Sequence, residues 1–290
     1  MKKAFLQLHF AVILAGFTAI LGKLIELNEG LLTSYRMFLS AIILAIVLYF
    51  KKELKRLSPK DILQLFGVGA IVSLHWVCFY GSIKYSNVSV SVTCLSTIGF
   101  FTSLFEPLIM RRRVDVVEVF LGMLAIAGVY LIFNFYPEYK TGIIFGIISA
   151  IFACLFPIIN KNLLVTFSPR TVTLYEMTGG FITLCFILPV YFQFFPPAYF
   201  IPTAKDFLWL LILAGVCTVF AFNLSLNALK HISAFTTNLT YNFEPVYSII
   251  LAFIIFKENK FLGAGFYFGF ALILLAVSLQ MLRVYKERRG

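Results

Sequence analysis

The sequence predicts an all-α integral membrane protein with ten transmembrane helices, arranged as two inverted five-helix repeats. First, 61% of the 290 residues are hydrophobic and the mean hydropathy is +0.94, which is too apolar for a soluble domain that must cover its surface with charge. Second, residues 69–84 and 215–230 lie at a constant offset of 146, and each is an apolar run from a glycine to a lone lysine. A duplicated helical unit in a hydrophobic chain is typical of transporters built from internal repeats.

The ten predicted spans are apolar runs of about 20 residues, the length that crosses the hydrocarbon core of a bilayer. The first run imitates a signal peptide, but it continues for a full span, so we expect it to be a helix of the bundle. The connections between the runs are short, and no soluble domain is expected. The runs lie near residues 4–25, 31–50, 62–83, 88–110, 115–134, 142–160, 171–194, 206–229, 234–256 and 261–282.

The match between the halves continues past the glycine-to-lysine segment. The stretch "TSLFEPLIMRRR" at 102–113 aligns with "SIILAFIIFKEN" at 248–259, and both are apolar helices that end in charge. Because five is an odd number of spans, the second copy must enter the membrane in the opposite sense, so the repeats are inverted. We predict the repeats at residues 1–136 and 140–284, and we expect a substrate site at their interface.

Basic residues are distributed unequally between the two sides of the predicted bundle. With the N-terminus in the cytoplasm, 17 of the 24 lysines and arginines lie in cytoplasmic segments, six lie on the other side, and Arg36 lies within a span. Positive charge resists translocation, so the bias places both termini in the cytoplasm. We therefore expect a multi-pass protein of the cytoplasmic membrane. Its expected partners are the lipid bilayer and a small-molecule substrate, with no nucleic acid; the oligomeric state stays open.

Three stretches carry a family resemblance that covers almost the whole chain. They are "SYRMFLSAIILA" in the second span, "LNALKHISA" at the end of the eighth, and "NFEPVYSIILAFIIFKENKFLGAGFYFGFALILLAVSL" across the last two. Together with the ten-span duplication, they make the chain similar to the drug/metabolite transporter superfamily, in the branch with two EamA domains. The resemblance implies a ten-helix basket whose central cavity opens alternately to each side. It also implies substrates such as amino acids and other small metabolites, often exported.

The first half departs from the family pattern at two places. Gly99 stands at the position that aligns with Pro245, and "MRRR" at 110–113 replaces the Lys-Glu hinge of the second half. These departures weaken symmetry arguments about the fourth span and leave the resemblance itself intact.

Ionisable side chains are rare within the predicted spans, and each needs a partner, a wet cavity or a function. Arg36 and Glu176 occupy the same position of the two repeats, in segments that align at an offset of 140, and carry opposite charges. They are candidates for an ion pair or a gate across the repeat interface, and Arg36 is a candidate for binding a substrate carboxylate. The alternative is that each side chain snorkels to the nearest membrane interface.

The ninth span contains the most polar stretch of any predicted span, and its polar residues fall on neighbouring helix faces. Pro245 cannot donate to the carbonyl of Tyr241, which leaves that oxygen for a ligand or water. This pattern predicts part of a midplane substrate site with Glu244 at its centre; the alternative is hydrogen bonding between helices. The candidate substrate-binding residues of this span are Thr237, Asn238, Tyr241, Asn242 and Glu244.

Two other spans supply further candidates for the same site. Asn223 and Asn227 lie one turn apart in the eighth span, and His75 and Tyr80 lie among aromatic residues of the third span. They are expected to complete a polar cavity with aromatic walls. For His75, a structural hydrogen bond is the alternative.

The residue inventory does not indicate an enzyme. The aspartates, Asp61, Asp115 and Asp206, lie at predicted helix starts, and the sequence contains no metal-ligand pair, nucleophile elbow or phosphate loop. No metal or cofactor is expected. We interpret the chain as a secondary transporter that exports small metabolites by alternating access. The alternatives are an uptake carrier for a sugar, nucleotide or vitamin-like solute, a channel, or a lipid flippase. Coupling stays open, because Glu176 or Glu244 is available to carry a proton and facilitated efflux needs none.

Overall fold

The computed structural model of the protein describes residues 2–54, 56–111, 113–241 and 243–287. The first half contains α1 (Lys2–Leu24), α2 (Glu29–Phe50), α3 (Pro59–Tyr85), α4 (Val88–Leu95), α5 (Ile98–Met110) and α6 (Val116–Phe135). The second half contains α7 (Lys140–Thr166), α8 (Pro169–Phe194), α9 (Ala204–Ala214), α10 (Ala221–Leu229), α11 (Ala234–Tyr241), α12 (Glu244–Phe256) and α13 (Ala264–Glu287). A π-helical segment, Gly215–Phe220, joins α9 to α10.

These helices form the ten membrane spans that the sequence predicts, arranged as two inverted five-helix repeats. In the described part of the chain, 8 segments are long and apolar enough to cross a bilayer, by length and composition, and Glu244–Phe256 and Ala264–Leu279 are shorter apolar helices. With an even number of spans, both chain ends lie on one side of the bundle. We call this side the terminal side and the other the opposite side.

Spans four and nine are each broken into two helices at the same place. The helices of span nine, α11 and α12, begin and end 146 residues after the helices of span four, α4 and α5. Arg111 and Lys257, which follow α5 and α12, both adopt the left-handed backbone conformation, with φ of 52° and 54°. The two halves therefore share local backbone structure as well as helix order.

The two breaks have different local causes. In span nine, Pro245 has no N–H to donate, and its ring clashes with the preceding turn of a continuous helix. In span four the corresponding residue is Gly99, and side-chain hydroxyls donate hydrogen bonds to the backbone carbonyl oxygens instead. Thr97 Oγ1 donates to Cys94 O at 2.7 Å, and Ser96 Oγ donates to Val92 O at 3.3 Å. Such bonds compete with the backbone hydrogen bonds of the helix. The fourth span is therefore broken at the same place as the ninth, although it has no proline there.

Helix packing repeats the symmetry of the two halves. The third span, α3, packs on α7 and α8, and the equivalent segment from α9 to α10 packs on α1 and α2. Three further contacts join equivalent spans to each other: α2 with α8, α6 with α13, and α4 with α12. The pseudo-twofold axis passes between the members of these pairs, in the plane of the membrane.

Two glycines allow helices to approach closely. A Cβ built on Gly69 of α3 would lie 2.2 Å from the Glu176 carbonyl oxygen on α8. One built on Gly128 of α6 would lie 2.5 Å from the Gly269 carbonyl oxygen on α13. Lipid tails are as apolar as leucine, so helices in a membrane associate through close packing of this kind rather than through the hydrophobic effect.

Candidate functional site: a charged cavity on the pseudo-axis

A cavity lies at the centre of the bundle, where helices of both halves meet. About 820 Å³ of space lies between its walls when open solvent is counted, and about 90 Å³ of this admits the centre of a water molecule. Its wall includes Trp76 with Phe222, and Ile98 with Glu244, and each of these pairs is related by the repeat offset of 146. Because the members of a pair come from different halves, the cavity lies on the pseudo-twofold axis.

The cavity extends from the middle of the bundle toward the terminal side. The α10 part of its wall continues to Leu229, the last residue of that helix, and the α11 part includes Thr237, close to the start of that helix. Both of these helix ends face the terminal side. In the other direction, the α1 part of the wall ends at Thr18, well before the end of that helix at Leu24.

Aromatic rings form much of the cavity wall. Trp76 and Phe222 meet edge to face with ring centroids 6.3 Å apart, and Phe156 lies 5.8 Å from Phe222. His75 stacks on Phe79 at 6.1 Å. Aromatic pairs of this geometry hold one another in place, so the cavity presents a largely apolar surface of defined shape.

Arg36 lies in this wall with its guanidinium over the Trp76 ring, at 3.5 Å from Cζ to the ring centroid. Its Nε donates to Thr218 Oγ1 at 2.7 Å, and its Nη1 donates to Tyr80 Oη at 2.5 Å. Its Nη2 makes only a 3.5 Å contact with the Cys217 carbonyl oxygen. Among the described residues, no carboxylate lies within ion-pair distance of Arg36. The cation is therefore held in place and keeps donor capacity for a ligand.

The π-helical segment brings the anchors of Arg36 into reach. Thr218 Oγ1, which accepts from Arg36 Nε, itself donates to the Leu213 carbonyl oxygen at 2.8 Å, five residues back along the chain. The Cys217 carbonyl oxygen in the same segment faces the Arg36 Nη2. Widened turns of this type occur frequently at functional sites. Here the wide turn of span eight orients the cation of span two.

Glu244 is the negative counterpart of Arg36 in the cavity wall. It is the first residue of α12 and is 6% exposed. Its carboxyl forms neither a hydrogen bond nor an ion pair with another described residue. Thr237 also lines the cavity, and its Oγ1 is buried without a hydrogen-bond partner among the described residues. Tyr241 lines the same wall. Buried polar groups left in this state require a ligand or water, so the face that the ninth-span pattern predicts does border the cavity.

His75 and Tyr80 have different positions relative to the cavity. The His75 ring lines it, while its Nδ1 lies 3.0 Å from the Ser149 carbonyl oxygen on α7, which fixes the ring. Tyr80 is fully buried behind Arg36 and contacts it through its hydroxyl. Tyr80 therefore acts on the cavity through Arg36.

The two asparagines of span eight lie away from the central cavity. Asn227 Nδ2 donates to the Asn223 side-chain oxygen at 2.9 Å, and both residues line a separate surface pocket near Arg170 on the terminal side. The cavity-facing residues of α10 are its neighbours, such as Ser225. Asn242 and the side chain of Asn238 lie outside the described residues.

Glu176 is fully buried on α8, outside the cavity wall. Its carboxyl faces the side-chain amide of Asn160 on α7, and neither group has a further hydrogen-bond partner among the described residues. No hydrogen bond or ion pair joins Glu176 to Arg36 within the described chain. The two residues occupy equivalent positions, and each packs against a helix of the other half.

Sequence reasoning did not select three residues that shape the site. Phe222 was identifiable, because it aligns with Trp76 at the offset of 146. Thr218 was not, because nothing in the local pattern indicates a π-helical turn. Phe156, on α7, reaches the cavity through tertiary packing alone.

The inverted repeats, the broken spans and the charged cavity on the pseudo-axis define a membrane transporter. The model of the EamA-like transporter family matches the chain twice, over residues 2–134 and 140–282. The chain belongs to this family.

Similar proteins agree with this assignment and name no substrate. The uncharacterized transporter YetK of Bacillus subtilis (strain 168) is 26% identical over 269 residues, which cover 88% of this chain and 80% of its own. An uncharacterized transporter of Clostridium kluyveri is 20% identical over 277 residues, which cover 89% of this chain and 87% of its own. A solved crystal structure with 15% sequence identity matches at a TM-score of 0.68 over 97% of this chain and 98% of its own, which shows the fold alone.

Proposed function

We propose that this transporter exports a small zwitterionic metabolite of the amino-acid class across the cytoplasmic membrane by alternating access. One observation carries the proposal: a basic residue, Arg36, and an acidic residue, Glu244, line one cavity and interact electrostatically, yet form no ion pair with each other or with any other described residue. A charge buried in a bilayer without a partner is costly. A ligand with one carboxylate and one ammonium group neutralises both residues at once.

The remaining wall supports the same class of ligand. Arginine presents a planar fork that suits a carboxylate, and Glu244 accepts hydrogen bonds from an ammonium group. The aromatic rings of Trp76 and Phe222 supply an apolar surface for the rest of the molecule. A solute with a single charge, or with none, leaves one of the two ionic groups without a partner.

Two observations support export. The basic-residue bias of 17 to 6 favours a cytoplasmic terminal side, and the cavity extends toward that side. In this conformation the cavity is placed to load a solute from the cytoplasm. Release on the other side then requires the bundle to open there and close at the terminal side.

The direct test is counterflow in proteoliposomes. Vesicles preloaded with an unlabelled amino acid are diluted into the same amino acid in labelled form, across a panel of amino acids, and the labelled solute should accumulate transiently and saturably. Glu138→Gln, an exposed charge change distant from the cavity, is the matched control and should transport normally. Flux that rises linearly without saturation would indicate a channel. Saturable transport restricted to solutes of a single charge would contradict the zwitterion proposal.

Cells test the direction of transport. Overexpression should raise the concentration of the transported amino acid in the medium, and Arg36→Gln should abolish this rise at equal expression. Accumulation inside the cells instead would indicate an uptake carrier.

A further inference from the structure

The side chain of Glu258 binds the start of another helix on the opposite side of the bundle. Glu258 follows α12 and is 3% exposed. Its Oε1 accepts from the backbone N–H of Val88 at 3.1 Å, and its Oε2 accepts from the N–H and the hydroxyl of Ser89, at 2.9 Å and 2.6 Å. Val88 and Ser89 are the first residues of α4, whose unpaired N–H groups attract an anion.

Lys23 completes this cluster. Its Nζ donates to Glu258 Oε1 at 2.7 Å, and it lies near the end of α1. One carboxylate therefore connects the opposite-side ends of α1, α4 and α12. We call the cluster of Lys23, Val88, Ser89 and Glu258 the opposite-side latch.

Each helix in the latch also lines the cavity. Ala15 and Thr18 of α1, Leu95 at the end of α4 and Glu244 at the start of α12 all belong to the cavity wall. A movement that separates the latch residues therefore separates the helices that enclose the cavity on this side. Spans four and nine, broken at their midpoints, allow their opposite-side halves to move independently of their terminal-side halves.

The position on the terminal side that is equivalent to Glu258 carries no carboxylate. At the offset of 146, Glu258 corresponds to Arg112, which lies outside the described residues, and arginine has no acceptor atom with which to bind backbone N–H groups. Ser89 corresponds to Phe235, which has no hydroxyl. The helix caps themselves are equivalent: Ser233 Oγ accepts from the N–H of Thr236 at 3.1 Å, as Asn87 Oδ1 accepts from the N–H of Val90 at 2.8 Å. Spans four and nine therefore share a backbone structure, but the side chains equivalent to Glu258 and Ser89 cannot form the same contact on the terminal side.

We propose that Glu258 is the gating residue of the opposite side: its contact with the α4 N-terminus keeps the cavity closed there and must break for solute release. The proposal rests on the alternating-access function given above. It also fits the side toward which the cavity extends, because the position equivalent to Glu258 carries no carboxylate; on the terminal side Lys161 Nζ of α7 instead donates to the Ile232 carbonyl oxygen at 2.7 Å.

Thiol accessibility tests the gate without any knowledge of the solute. In a background whose 5 cysteines are replaced by alanine, Ala15→Cys reports access to the cavity. A membrane-impermeant thiol reagent is applied to the side on which Glu138→Cys reacts, which identifies the opposite side independently of cellular orientation. We expect slow labelling of Ala15→Cys with Glu258 intact and a severalfold faster rate with Glu258→Gln. Lys23→Met and Ser89→Ala, which each remove one contact, should give smaller increases.

Controls separate gating from loss of structure. Ala150→Cys, buried in α7 and outside the cavity wall, should stay unreactive in the Glu258→Gln background, and Glu138→Gln should leave the Ala15→Cys rate unchanged. If Glu258→Gln fails to fold, the Lys23 and Ser89 variants decide the outcome. Equal labelling rates with and without the latch contacts would overturn the proposal, as would equal labelling of Ala150→Cys. Faster labelling in a protein that moves no solute would uphold the gate and reject the transport function, whereas transport with unchanged accessibility would reject the gate alone.

Discussion

The two halves of the bundle place equivalent residues around one cavity and give them different chemistry. Trp76 and Phe222 are aromatic in both halves and meet at the pseudo-axis. Ile98 and Glu244 also occupy equivalent positions in the wall, yet one is aliphatic and the other is acidic. The pair that is aromatic in both halves shapes the cavity, and the pair that differs supplies its carboxyl group.

Arg36 and Glu176 show the same divergence with a different outcome. Arg36 faces the cavity, held by Tyr80 and Thr218, whereas its equivalent Glu176 is fully buried outside the cavity wall, beside Asn160 of α7. The basic residue of the site therefore comes from the first half and the acidic residue, Glu244, from the second. The two repeats share a backbone arrangement and differ at single positions that give the cavity one basic and one acidic group.

The largest effect, on stability, is expected from the equivalent glycines Gly69 and Gly215, whose surroundings differ. Gly69→Ala should strongly destabilise the protein, because the new Cβ would lie 2.2 Å from the Glu176 carbonyl oxygen. Overpacking of this kind costs about 1–3 kcal/mol or more. Gly215→Ala, at the equivalent position, should be tolerated, since its nearest neighbour is Ile43 Cδ1 at 4.0 Å. Thermal denaturation in detergent, followed by size-exclusion chromatography, measures both. Equal losses in the two variants would show that the α3–α8 contact is not as close as described.

The next prediction compares the effects of Arg36 and Glu176, which occupy equivalent positions, on solute affinity. Arg36→Lys should lower the affinity for a zwitterionic solute by roughly tenfold or more, because lysine lacks the fork and the stacking on Trp76. Glu176→Gln should leave the affinity unchanged, since Glu176 lies outside the cavity wall. Binding to purified protein measures both. A loss of affinity in Glu176→Gln as large as in Arg36→Lys would place Glu176 in the site and contradict the assignment.

A smaller effect is expected from the residue behind Arg36. Tyr80→Phe removes the acceptor of the Arg36 Nη1 hydrogen bond and keeps the ring. The loss of one such bond is worth about 0.5–1.5 kcal/mol, which corresponds to about a twofold to tenfold lower affinity. Tyr49→Phe, on an exposed side chain, is the matched control. Unchanged affinity in Tyr80→Phe would mean that stacking on Trp76 alone orients the guanidinium.

The smallest effect concerns an ion pair outside the membrane that has no counterpart in the other repeat. Arg283 Nη1 donates to Asp115 Oδ1 at 2.9 Å, and the position equivalent to Asp115 is Phe261. The Arg283 hydrogen bond lowers the pKa of Asp115. A carboxyl whose pKa is lower in the folded than in the unfolded protein stabilises the folded state. This contribution is complete at pH values above the unfolded pKa of about 3.9 and is lost as the pH falls through the folded pKa.

Asp115→Asn should therefore lower the thermal midpoint slightly at neutral pH, by less than about 1 kcal/mol, because the pair is partly solvated. The difference from the wild-type protein should start to shrink as the pH falls below about 4 and vanish once the pH is below the folded pKa of Asp115. A difference that is constant across this range would show that ionisation of Asp115 adds no stability.

The fold was predictable from the sequence because the patterns that indicate it extend over whole helices. Apolar runs and an offset shared over whole helices indicate ten spans and their inversion without any tertiary information. That Thr237 and Tyr241 share a face was also predictable, because they lie one turn apart in α11, and Glu244 follows them closely at the start of α12.

The environment of span eight was not predictable in the same way. The π-helical segment inserts an extra residue into the helical turn, which rotates the following residues by about 100° relative to a regular α-helix. Extrapolation along the span therefore fails for α10, where Asn223 and Asn227 lie on a surface pocket and Ser225 faces the cavity. The burial of Glu176 beside Asn160 of α7 likewise depends on tertiary packing, which local sequence does not encode.

The central claim is that Arg36 and Glu244, one from each half and without an ion pair to any described residue, recognise a zwitterion. The most direct test measures binding of the amino acid that binds most tightly in a panel, and of the carboxylic acid and the amine that share its carbon skeleton. We expect the wild-type protein to bind the amino acid at least about tenfold more tightly than either analogue. Glu244→Gln should remove the preference over the carboxylic acid, and Arg36→Gln should remove the preference over the amine. Wild-type protein that binds either analogue as tightly as the amino acid would contradict the account.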